Sequence, residues 1–149
     1  MTSFKKPRPP LNPFLVPLTA EQHAALSNPP DMALIALKEG HATRKDLWNL
    51  WYRGRVTLHI AERHHKDVVD AIRPIVDNLE ALFLDAHANP QKEIHVTLED
   101  RLDIESLLEV ANEIQQETNR GHQAPHYREQ RDYCLKAVAA VQVNHQPAN

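Results

Sequence analysis

The chain has 149 residues, 25% of them charged, and a formal net charge of -3. That is long enough for one domain with a genuine core, and too balanced for disorder or for general attraction to polyanions or membranes. The single cysteine, Cys134, excludes an intrachain disulfide framework, and prolines interrupt the region after Lys5, Lys6 and Arg8 where a secretory signal needs an apolar run, so a cytoplasmic protein without a membrane span is expected.

Three glycines are too few for a strand-rich fold with many tight turns, and an all-α compact bundle of four to five helices is expected. Seven of the eleven prolines, from Pro7 to Pro30, fall within the first 30 residues. Proline removes a helix hydrogen bond and crowds the preceding turn, so residues 1–30 are expected as an extended proline-rich arm. Leu11, Phe14, Leu15, Val16 and Leu18 give that arm an apolar content suited to lying across the helical body.

The bundle domain is expected over residues 31–142. A short helix runs from Asp31, its N-cap, to Glu39, with Gly40 at the left-handed C-cap position. Thr43 and Asp46 form a capping box that opens a helix through Arg63, whose stripe is Leu47, Leu50, Trp51, Gly54, Leu58 and Ala61. Gly54 on that stripe predicts close approach of a neighbouring helix.

The cleanest periodicity, Val69, Ile72, Val76, Leu79, Phe83 and Ala86 among others, marks Asp67 to Ala86 as the central core helix, with Pro74 on its outer face. After a loop holding Ile94 to Val96, Thr97 and Asp100 repeat the capping pattern. Ile104, Leu107, Leu108, Ala111 and Ile114 are the buried stripe of the helix that follows, which ends near Gly121. Pro125 suits the first turn of a last helix carrying Tyr127, Cys134, Ala137, Val138 and Val141. Residues 143–149 are expected as a disordered tail.

Ten histidines raise a metal hypothesis, and the densest group is His59, Glu62, His64 and His65. Di-iron bundles require two Glu-x-x-His motifs and further glutamates, whereas this chain has one, at a helix end where histidines suit free carbonyls and the helix dipole. No metal and no cofactor is expected. Cys134 falls on an apolar stripe, no Gly-x-Ser-x-Gly elbow occurs and no phosphate-binding motif is present, so a non-enzymatic protein is expected.

Charge is segregated between helices. From Arg44 to Lys66 six basic residues stand against Asp46 and Glu62, while from Glu99 to Glu117 seven acidic residues stand against Arg101. Glu105, Glu109, Glu113 and Glu117 form an i, i+4 row, each like-charge neighbour costing roughly 0.2–0.5 kcal/mol. The plain reading is a solvated acidic face; the sharper one is a carboxylate row offered to a basic surface, as a nucleic-acid mimic would.

A second candidate surface is the flank Trp48, Tyr52, Arg55 and His59, residue types enriched in interface hot spots. Val56 and Ile60 give that helix a second apolar face, to be covered by the arm or by a partner chain in a homodimer. The rival from another class is a DNA-binding regulator with a helix-turn-helix-like segment around Gly40, using Arg44, Lys45 and the arm residues Lys5, Lys6 and Arg8. The sequence pI of 6.3 is low for a DNA-binding module.

Lys5-Lys6-Pro7-Arg8-Pro9, Leu11-Asn12-Pro13, the run Met32-Ala33-Leu34 to Gly40 and Thr43-x-x-Asp46 together resemble the opening of small helical proteins of proteobacterial bacteriophages and mobile elements. The resemblance covers the first 65 residues and brings no catalytic residues with it. It implies a context in which such proteins bind and block host machinery, CRISPR complexes included. The expectation is an inhibitor or modulator that occludes the surface of a host protein or ribonucleoprotein complex.

Overall fold

A computed structural model of the chain describes residues 18–117 and 132–136. Four helices, α1 (Ala20–Glu39), α2 (Arg44–His64), α3 (Lys66–Ala88) and α4 (Leu98–Glu117), pack around one core, joined by a helical segment at 132–136. No strand occurs among the described residues, and the all-α bundle expected from composition is the architecture observed. Residues 1–17, Gly121, Pro125, Tyr127, Ala137, Val138, Val141 and the tail at 143–149 lie outside the described residues.

The first helix corrects the sequence reading. It begins eleven positions before Asp31, at Ala20, and carries Pro29 and Pro30 inside it. Thr19 is the N-cap: its hydroxyl accepts from the Gln22 N–H at 3.1 Å, and Gln22 Oε1 accepts from the Thr19 N–H at 2.9 Å. Asp31 is therefore an interior position, and residues 20–30 of the expected extended arm are helical. Proline's φ is close to the helical value, so the opposition comes from lost hydrogen bonds and crowding. Docking offsets it, because Leu26, Pro30, Ala33 and Leu37 form a buried stripe at helical spacing. Gly40 closes the helix at φ 79°, in the left-handed conformation that favours glycine.

At the start of α2 the expected box is present: the Thr43 N–H donates to Asp46 Oδ2 at 2.8 Å, and the Asp46 N–H to Thr43 Oγ1 at 3.3 Å. The central helix is α2, not α3, because α2 packs against α1, α3 and α4. Leu47, Leu50, Leu58, Ile60 and Ala61 are all at most 1% exposed, whereas α3 turns Asp70, Pro74, Asp77 and Leu84 to solvent. The second apolar face of α2 is covered within the single chain, Ile60 sharing a core with Leu18, Leu26 and Cys134. A β-carbon at Gly54 would stand 2.8 Å from Leu107 Cδ2 and 3.1 Å from Val76 Cγ2, which is the close approach the stripe foretold.

His65 alone links α2 to α3, ending one helix and preceding the other. Glu62 meets Arg73 at 3.5 Å across that turn, and Trp51 stacks on Phe83 at 6.4 Å near its far end, so the two helices run antiparallel. Ile94 and Val96 sit half-buried against the core in the connection to α4. Thr97 Oγ1 accepts from the Asp100 N–H at 3.1 Å, while the Asp100 carboxylate accepts from Asn78 Nδ2 at 3.1 Å and ties α4 to α3. No helix of the described residues is long and apolar enough to cross a membrane.

Candidate functional site

The acidic face of α4 is set by what the helix buries. Ile104, Leu107, Leu108, Ala111 and Ile114 enter the core, so Glu105, Glu109 and Glu113 rise on the opposite side. Glu109 and Glu113 are exposed, but Glu105 is half-buried and its carboxylate meets Lys38 of α1 at 2.6 Å. The expected uninterrupted row is thus neutralised at its first member, which relieves the like-charge cost between Glu105 and Glu109. Glu117 closes α4, and its side chain lies outside the described residues.

Two leucines that the sequence reading passed over extend this face. Leu98 and Leu102 are 61% and 53% exposed, and at helical spacing they line up with Glu105, Glu109 and Glu113. The signal was present in the sequence, since both lie off the buried stripe by the same rotation that places the glutamates. The α4 outer face therefore combines an apolar end with two carboxylates that, among the described residues, are outside any ion pair.

On α2 the flank divides in two. Trp48 and Tyr52 stack with ring centres 4.8 Å apart and 11° between planes, and burial pushes the Tyr52 hydroxyl above its ordinary pKa. Arg55 is exposed beside them. His59 instead meets Tyr133 of the 132–136 segment edge-on at 4.5 Å, so that end of the flank already has a neighbour from the same chain. The Trp48 end opens into a groove of about 440 Å³ lined by Thr43, Arg44, Lys45, Trp48, Phe83 and His87. Arg44 and Lys45, assigned to the rival nucleic-acid reading, thus share a groove with Trp48, while Lys5, Lys6 and Arg8 lie outside the described residues.

Arg53 is one of the six basic residues between Arg44 and Lys66, yet only 5% of it is exposed. Its Nη2 donates to the Ala111 carbonyl at 3.1 Å and to Gln115 Oε1. Gln115 Nε2 in turn bonds His23 Nδ1 at 2.6 Å and Ser27 Oγ at 3.4 Å, joining α2, α4 and α1 through one polar chain. No carboxylate among the described residues pairs with Arg53; burial lowers its pKa, and Cys134 and Asp31 oppose that. Burial pushes the Cys134 thiol up more strongly than Arg53 draws it down, which keeps it protonated and a poor nucleophile.

Around the histidine-rich end of α2, Glu62 faces Arg73 and His59 faces Tyr133, and no group of three or more His, Cys, Asp or Glu side chains is arranged to hold a metal among the described residues. A helix-turn-helix reader needs its second helix to project into the major groove. Here that helix would be α2, which three other helices surround. Compared with known proteins, the chain matches no family model, no curated protein and no solved structure.

Proposed function

We propose that this chain is a non-enzymatic binding protein of phage or mobile-element origin. It inhibits or modulates a host protein or ribonucleoprotein complex by occupying its surface, and the outer face of α4 makes the contact. One observation carries the reading: Leu98 and Leu102 are exposed in line with Glu109 and Glu113, on the side of α4 turned away from the core. Burying one such leucine against a partner contributes about 1.5–3 kcal/mol, which an exposed position forgoes. Carboxylates beside that apolar end would orient and accelerate encounter with a basic surface that carries an apolar cleft. Trp48, Tyr52 and Arg55 offer a second contact of hot-spot composition on α2.

The test is capture of a partner from host lysate by the immobilised chain. Glu109→Lys with Glu113→Lys, and separately Leu98→Ser with Leu102→Ser, should each release the captured partner at unchanged helical circular dichroism. Retention of the same partner by both double variants would sink this surface. The rival DNA-binding regulator draws on Arg44 and Lys45, which are exposed at the start of α2. Retention on duplex DNA at low salt that falls steeply with added salt would favour it over occlusion.

A further inference from the structure

We propose that the groove at the amino-terminal end of α2 binds a base-phosphate unit, with the base lying against Trp48 and the phosphate held by Arg44 and Lys45. This site lies on a different helix from the α4 face and stands or falls independently of it.

Three observations converge. The groove, about 440 Å³, lies within the range of small-molecule sites, and no carboxylate among the described residues lines it. Its two full cations are uncommitted: among the described residues neither Arg44 nor Lys45 has an ion-pair partner, and the nearby Asp46 is engaged by the Thr43 backbone and hydroxyl at 2.8 and 3.1 Å. Its aromatic wall is backed by neighbouring rings, since Trp48 stacks on Tyr52 and Phe83 on Trp51. A rigid ring beside paired cations is the combination by which single nucleic-acid strands are held without sequence preference.

Charge limits how far the site extends on the Arg44 side. The adjoining hollow shares Thr43 and Arg44 but contains Glu93, and its Lys92 is already turned to Asp85 at 3.4 Å. A base-phosphate unit comes from two sources, a free nucleotide or a single strand, and a duplex offers neither because its bases are already stacked.

The full chain is titrated, by tryptophan fluorescence and by calorimetry, with adenosine and thymidine monophosphates, a short single-stranded oligothymidylate and a duplex of equal length. Saturable binding of a mononucleotide or of the single strand, at least tenfold tighter than of the duplex, is expected, weakening with salt. Equal affinity for mononucleotide and strand assigns the site to free nucleotides; binding that needs the strand assigns it to single strands. Trp48→Leu should weaken binding about tenfold without changing the salt slope, Trp48→Phe should retain most of it, and Arg44→Ala with Lys45→Ala should flatten the slope. All three variants are first matched to the parent by circular dichroism and melting temperature. Absence of saturable binding, or duplex binding as tight as single-strand binding and indifferent to Trp48→Leu, would overturn the proposal.

Discussion

Among the described residues Arg53 is the only charged side chain buried in the core, and a desolvated ion loses several kcal/mol of hydration. Its partners, the Ala111 carbonyl and Gln115 Oε1, are neutral, which makes the two ends of the contact unequal. Gln115→Leu would leave a buried charge with one acceptor, and a loss above the roughly 1–3 kcal/mol of one unsatisfied neutral group is expected. Arg53→Met removes the charge itself and leaves only neutral acceptors unpaired, at about 1–3 kcal/mol. Urea denaturation should rank Gln115→Leu as the worse variant, and the double variant should recover part of its loss.

His41 is the opposite case, a surface group. Its Nε2 lies 2.7 Å from Glu39 Oε2, and that hydrogen bond raises its pKa above the ordinary 6.5. The charged form is thus favoured in the folded chain. Any stability it contributes is full below pH 6.5 and is lost as pH rises through the folded-state value. Ring-proton NMR should show His41 titrating above 6.5, Glu39→Gln should return it towards that value, and added salt should shrink the difference.

At the scale of elements, capping boxes and apolar stripes placed α2 and α3 to within two residues at each end and the start of α4, because both signals are encoded within one or two turns of chain. Thr43 with Asp46, and Thr97 with Asp100, start α2 and α4 where they were expected. The same signal existed for α1, as Thr19 followed by Gln22 and then Leu26, Pro30, Ala33 and Leu37, but seven prolines argued against it. Local propensity lost there to the docking of a buried stripe. Gly54 shows the reverse dependence, a local residue whose value lies in another helix: Gly54→Val would drive methyl groups into Leu107 and Val76. A loss of about 1–3 kcal/mol is expected, read as a lower Tm.

Over the whole molecule, the segregation of charge between α2 and α4 survives in altered form. Removing Arg53 to the interior and pairing Glu105 with Lys38 trims both faces. Among the described residues, the exposed charges still outside any ion pair include Arg44 and Lys45 at one end of α2, and Glu109 and Glu113 on the outside of α4.

Composition and periodicity by themselves determined the helical class, the bounds of α2 and α3, the start and buried stripe of α4, and the burial of Cys134, because those depend on hydrogen bonds and stripes within a few residues of one another. Tertiary structure alone decided that α1 runs through its prolines, that α2 occupies the centre, that Arg53 is inside and that Tyr133 meets His59. It also brought Arg44 and Lys45 to Phe83 and His87, about forty residues away in sequence. Each of these rests on which faces dock, and docking is settled by apolar burial summed over the whole core, a quantity no local window contains.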